Sequence, residues 1–114
     1  MGVCKDGGLM AERRLYLIFK EKIKKADPNS FWYKIPDTFG IGGLRPFDGF
    51  LVIQGIPFAI EFKSEGEKAT KYQLYQLTDF TLAGGESFIF VENEISMDMF
   101  IDIIMNKVKE RKNE

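Results

Sequence analysis

The sequence predicts an α/β domain: a mixed four-stranded central sheet flanked by helices, in the order α-β-β-β-α-β-α. Three observations carry that expectation. Apolar residues recur at helical spacing near the start, in the middle and at the end of the chain. Short runs rich in aromatic and β-branched residues lie between them. The last such run follows a crossover helix, which places it parallel to a neighbouring strand.

From Met10 to about Ala26, Leu15, Ile18, Phe19 and Ile23 mark one face of a helix, and Asp27-Pro28-Asn29-Ser30 ends it. Phe31 to Ile35 reads as a short strand. Pro36 to Pro46 is a glycine-containing loop, long enough to suspect of function. Phe47 to Ile53 and Ile56 to Lys63 read as a hairpin turning at Gln54-Gly55. After a polar loop, Thr70 caps a helix from Lys71 to about Ala83, which Gly84-Gly85 closes. Ser87 to Val91 is the fourth strand. Ser96 caps the last helix, which carries Met99, Phe100, Ile103, Ile104 and Val108 to about Lys109. One domain thus spans residues 10–109, with flexible ends at 1–9 and 110–114.

Composition narrows the chemistry. The 114 residues suit one modest core, and 45% hydrophobic with 29% charged residues is ordinary globular usage. Eleven Phe imply an aromatic core. No apolar run is long enough for a bilayer, and the first ten residues lack a signal-peptide core. Met1-Gly2 is a poor myristoylation start, because Asp6 stands where Ser or Thr is needed. Cys4 is the only cysteine, which fits a reducing compartment, most simply the cytoplasm. Histidine is absent, which excludes Cys/His zinc sites, Ser-His-Asp and Cys-His catalysis and any histidine base. Carboxylates, lysine, tyrosine or a bound metal must carry whatever reaction occurs.

The net charge of −1 hides an asymmetry. Residues 1–34 carry a net +4, residues 72–106 a net −6 and residues 107–114 a net +2. A basic face for nucleic acid is therefore compatible with the neutral total, although the lysines of the first helix read equally as its solvated side.

The informative stretch is Arg45 to Gln76. Glu61 and Lys63, two apart on a strand, share a face, while Ile60 and Phe62 point to the other. The hairpin returns the chain so that Asp48 lies near the end of the second strand. Two carboxylates so placed repel unless a cation lies between them. Mg²⁺ suits such a pair, since it binds one or two carboxylates plus water and phosphate oxygens. A metal there lowers the pKa of a bound water, and Lys63 orients the water or stabilises charge on the phosphate. A lone Glu-x-Lys is usually surface charge; the apolar neighbours, the upstream Asp48 and the downstream glutamines favour catalysis.

This stretch resembles the PD-(D/E)xK nuclease core, and within it the VRR-NUC branch of small phage and repair nucleases. The resemblance covers most of the chain, from about residue 10 to residue 104. It implies a restriction-endonuclease-like domain that hydrolyses phosphodiester bonds in DNA with Mg²⁺, for which Mn²⁺ substitutes; branched or junction, flap, single-stranded and duplex DNA all stay open as substrate forms. Asp48, Glu61 and Lys63 match the core motif, with Asp48 and Glu61 as metal ligands. Gln73 matches the glutamine ten residues on, and Glu12 is the best match to an acid in the first helix. The motif reads Pro46-Phe47-Asp48, so proline and aspartate are not adjacent. Related small nucleases often act as dimers, so the resemblance makes a homodimer one expected state.

Lys68, Lys71, Arg45, Arg13 and Arg14 are candidate phosphate contacts. Gly40, Gly42 and Gly43 would let backbone approach nucleic acid closely. Tyr72 and Tyr75 are candidate stacking residues, with helix packing as the plainer reading. Gln76, one turn beyond Gln73, lines the same surface. A catalytically silent nucleic-acid-binding or assembly module, and an unrelated α/β domain with Glu61 and Lys63 as surface charge, are the competing readings.

Overall fold

A computed structural model describes residues 9–36 and 45–114, with side chains from Arg13 onward. The elements are α1 (Leu9–Ala26), β1 (Phe31–Lys34), β2 (Gly49–Ile53), β3 (Ile56–Lys63), α2 (Lys71–Leu82), β4 (Glu86–Val91) and α3 (Met97–Lys112). The expected order holds. The sheet runs β1-β2-β3-β4, antiparallel except for the β3–β4 pair, which is parallel.

β3 is central, and its burial follows from that position: from Phe58 to Lys63 every residue is buried. The β2–β3 turn explains the hairpin. Gln54 and Gly55 both have positive φ, 52° and 83°, the pattern of a type I′ turn whose twist suits the flanking strands.

Each sheet face has its own core. Phe19 and Ile23 of α1 and Phe100 and Ile104 of α3 meet Leu51, Ile53, Phe58, Ile60 and Phe62 on one side. Trp32 joins them edge-on to Phe19 and Phe62, with centroids 4.8 and 6.1 Å away. The other side is smaller: Ile35, Phe47, Ala59 and Leu77 are buried, with Phe50 and Phe80 packed against them. That thinner core under α2 leaves room for polar groups on β3.

Two boundaries differ from the sequence reading by more than one residue. β2 begins at Gly49, not Phe47, because the Asp48 side chain takes over pairing at the strand end, as described below. The segment 110–114, expected to be loose, is helical to Lys112. Arg111 holds it down, donating to Glu86 Oε2 (2.7 Å) and to the Gly84 carbonyl (3.1 Å). Among the described residues no helix is long and apolar enough to cross a membrane.

Candidate active site

The hairpin register sets Gly49 opposite Ile60, so Asp48 arrives level with Glu61. The two carboxylates then interlock through backbone. The Phe62 N–H donates to Asp48 Oδ2 (2.7 Å), and the Asp48 N–H donates to Glu61 Oε1 (3.1 Å). Both residues are only 1% exposed. Their positions are therefore fixed by the sheet ladder itself, without reliance on side-chain rotamers alone.

Three further elements complete the cluster. Lys63 Nζ, on the same face of β3, lies 3.3 Å from Glu61 Oε2. Arg45 Nη2 pairs with Asp48 Oδ1 at 2.6 Å, and the same guanidinium donates to the Ile35 carbonyl and the Tyr16 hydroxyl. From α2, Gln73 Nε2 donates to Glu61 Oε2 (2.7 Å). Gln73 is also the third residue of the helix, where it forms a capping box: its Oε1 accepts from the Thr70 N–H, and its own N–H donates to Thr70 Oγ1. One side chain thereby starts the helix and aims the Glu61 carboxylate.

Burial dominates the electrostatics. It raises the Asp48 pKa, against the lowering effects of the Phe62 N–H, Arg45, Lys63 and the Tyr16 hydroxyl. Glu61 is pushed up to about 7, first by burial and then by the charge of Asp48, with Lys63 opposing. A carboxylate poised near neutrality beside a second carboxylate is the situation that a bound cation relieves. The donors are hard oxygens, which fit Mg²⁺ or Mn²⁺. Among the described residues no group of three or more His, Cys, Asp or Glu is placed to hold a metal ion, so a cation held by Asp48 and Glu61 would need its other ligands from water or substrate.

Of the residues expected from sequence, Asp48, Glu61, Lys63 and Gln73 come together. Arg45 joins them, but turned inward onto Asp48 and not toward solvent. Lys68 is exposed and lines a cleft of about 430 Å³ together with Lys63, Glu67, Leu74, Ile89 and Val91. Lys71 is exposed at the start of α2, and Tyr72 and Tyr75 stand on its outer surface. Gln76 is half-buried. Arg13 is exposed, whereas Arg14 pairs with Glu92 at 2.6 Å. The Glu12 side chain and Gly40, Gly42 and Gly43 lie outside the described residues.

Tyr16 is the member that sequence reasoning missed. It is 4% exposed, edge-on to Phe62 at 5.3 Å, and bonded to Arg45 and Asp48. Its signal was weak but present: a tyrosine adjoining the apolar face of the first helix usually has a partner for its hydroxyl. No protein-family model, curated protein or solved structure matches the chain.

Proposed function

We propose that this chain is a metal-dependent deoxyribonuclease of the PD-(D/E)xK type, acting in the cytoplasm. One observation carries the reading: Glu61 and Lys63 share a face of the central strand, with Asp48 level beside them and Gln73 docked from α2. Asp48 and Glu61 would hold the cation. When bound, Mg²⁺ polarises a phosphate oxygen and makes a nucleophile of water near neutral pH.

The chain's own groups do the rest. Lys63 sits where it can donate to the attacked phosphate or to the water, supplying positive charge as negative charge grows. Gln73 keeps the Glu61 oxygens oriented, and Arg45 with Tyr16 fixes Asp48. Lys68, on the cleft beside Lys63, and Lys71, exposed at the start of α2, offer contacts for flanking phosphates. A twofold pair of such domains would double the surface presented to a branched DNA.

A second reading has an observation in its favour. Arg45 and Lys63 each pair with one of the two carboxylates, so the cluster also reads as a buried polar network in a silent binding module. The two separate on a cleavage assay over branched, flap, single-stranded and duplex DNA with Mg²⁺, Mn²⁺ or EDTA. Metal-dependent, EDTA-sensitive cleavage of at least one form is expected; binding without turnover on every form would establish the silent module.

A further inference from the structure

The edge strand β1 presents two bare rings on the same sheet face as Glu61 and Lys63. Alternation sends Trp32 into the core against Phe19 and Phe62. Phe31 and Tyr33 therefore point to the opposite face, where they are 55% and 50% exposed. Register ties them to the site. Tyr33 is opposite Phe50, and Phe50 is opposite Ala59, two residues from Glu61 on the same face. The Ile35 N–H donates to the Asp48 carbonyl (2.9 Å), so Asp48 stands at the level of Ile35. Tyr33 is one same-face step from that level, about 7 Å, and Phe31 is a second such step away. The rings form a stripe that leads from the candidate site along the sheet edge.

Single exposed apolar residues are ordinary, but an edge strand is more usually guarded by charge than by adjacent aromatic rings. β1 and β2 carry no acidic side chain at all, whereas the acids of residues 72–106 lie on α2, β4, α3 and their connections. Phosphates can therefore follow this stripe without meeting a carboxylate on either strand. The ring spacing also selects. It is about twice the ~3.4 Å rise per nucleotide of a duplex strand. Paired bases are stacked inside the duplex and offer only their edges. An unstacked strand can open its bases to successive rings, and every base has a π-face to offer.

Resting on the nuclease reading, we infer that Phe31 and Tyr33 are a stacking platform for unpaired nucleotides. The substrate class is then single-stranded or single-strand-tailed DNA, with the unpaired strand lying along β1 and the scissile phosphate near Lys63. The contact is tolerant of sequence, because stacking reads no hydrogen-bonding edge.

The test measures binding, so that it does not depend on turnover. A fluorescent ten-nucleotide oligothymidine, a duplex with the same tail and a blunt duplex are titrated in Ca²⁺ against the wild type, Phe31→Ala, Tyr33→Ala and the double variant. Each lost ring should weaken binding to the single strand and to the tailed duplex about fivefold or more, while blunt-duplex affinity stays put. Tyr33→Trp should restore binding, and 2-aminopurine in the tail should lose fluorescence on binding the wild type but not the double variant. Both rings are half exposed, and circular dichroism checks that each variant is folded. Equal losses on all three probes, or no loss on any, would overturn the platform. So would a wild-type dimer that dissociates in the double variant with single-strand affinity unchanged, since the rings would then serve a second copy of the chain. Ring-dependent binding without cleavage would leave the platform standing and reject the nuclease; cleavage with ring-independent binding would do the reverse.

Discussion

Protons and metal should compete for Glu61, and the competition sets a measurable pH dependence. The carboxyl is raised from its ordinary 4.5 to about 7 in the fold. Below pH 4.5 both folded and unfolded chains hold the proton. As pH rises toward 7 the unfolded chain gives up its proton while the fold retains it, so the metal-free protein loses stability throughout that window. At roughly 1.4 kcal/mol per pH unit the loss is about 3 kcal/mol, and it stops above pH 7. Asp48, also raised, contributes with the same sign. A metal ligand must be deprotonated, so metal affinity should change in the opposite sense. With Glu61 about 3% ionised at pH 5.5 and about 75% at pH 7.5, apparent Mn²⁺ affinity should rise about 25-fold across that interval. Urea denaturation of the metal-free protein from pH 4.5 to 8 and calorimetric Mn²⁺ titration at the two pH values supply the data, with Glu61→Gln as the non-titrating control. Wild-type and Glu61→Gln stabilities running parallel from pH 5 to 7, together with a flat Mn²⁺ affinity, would show that Glu61 neither titrates in this range nor binds the cation.

Gln73→Ala should lower unfolding stability by about 1 kcal/mol through the lost cap, and cut metal affinity about 10- to 100-fold by freeing the Glu61 carboxylate; calorimetry separates the two effects. Gly49→Ala places a Cβ 1.9 Å from the Trp32 ring, directly beside Asp48, and should cost about 1–3 kcal/mol, read as a lower melting temperature with altered tryptophan fluorescence. Neutralising Lys68 and Lys71 together should reduce the log–log salt dependence of duplex binding by about two, measured by anisotropy in Ca²⁺; an unchanged slope would place the DNA on another face.

The fold was legible because its signals are local. The period of Leu15, Phe19 and Ile23, the alternation around Glu61 and the Gln54-Gly55 turn each fix an element without tertiary information. The core of the site was legible for the same reason, since strand alternation and hairpin register bring Asp48, Glu61 and Lys63 together. What stayed hidden depended on distant partners. Arg45 read as a phosphate contact because nothing nearby in sequence announces its turn onto Asp48 and Tyr16. Tyr16 looked like one more helix residue because its partners are 29 and 32 positions away. The exposure of Phe31 and Tyr33 was equally invisible, since an aromatic strand normally implies burial and only the edge position of β1 leaves them bare.

In the proposed nuclease, Lys63 acts chemically on a phosphodiester beside a cation held by Asp48 and Glu61. Single-turnover cleavage of the best DNA form by wild type and Lys63→Ala, each saturated with Mg²⁺, tests it most directly. Cleavage should fall about 10²–10⁴-fold in the variant while calorimetric Mn²⁺ binding is largely kept. Near-wild-type cleavage by folded Lys63→Ala would show that the lysine takes no part in the chemistry.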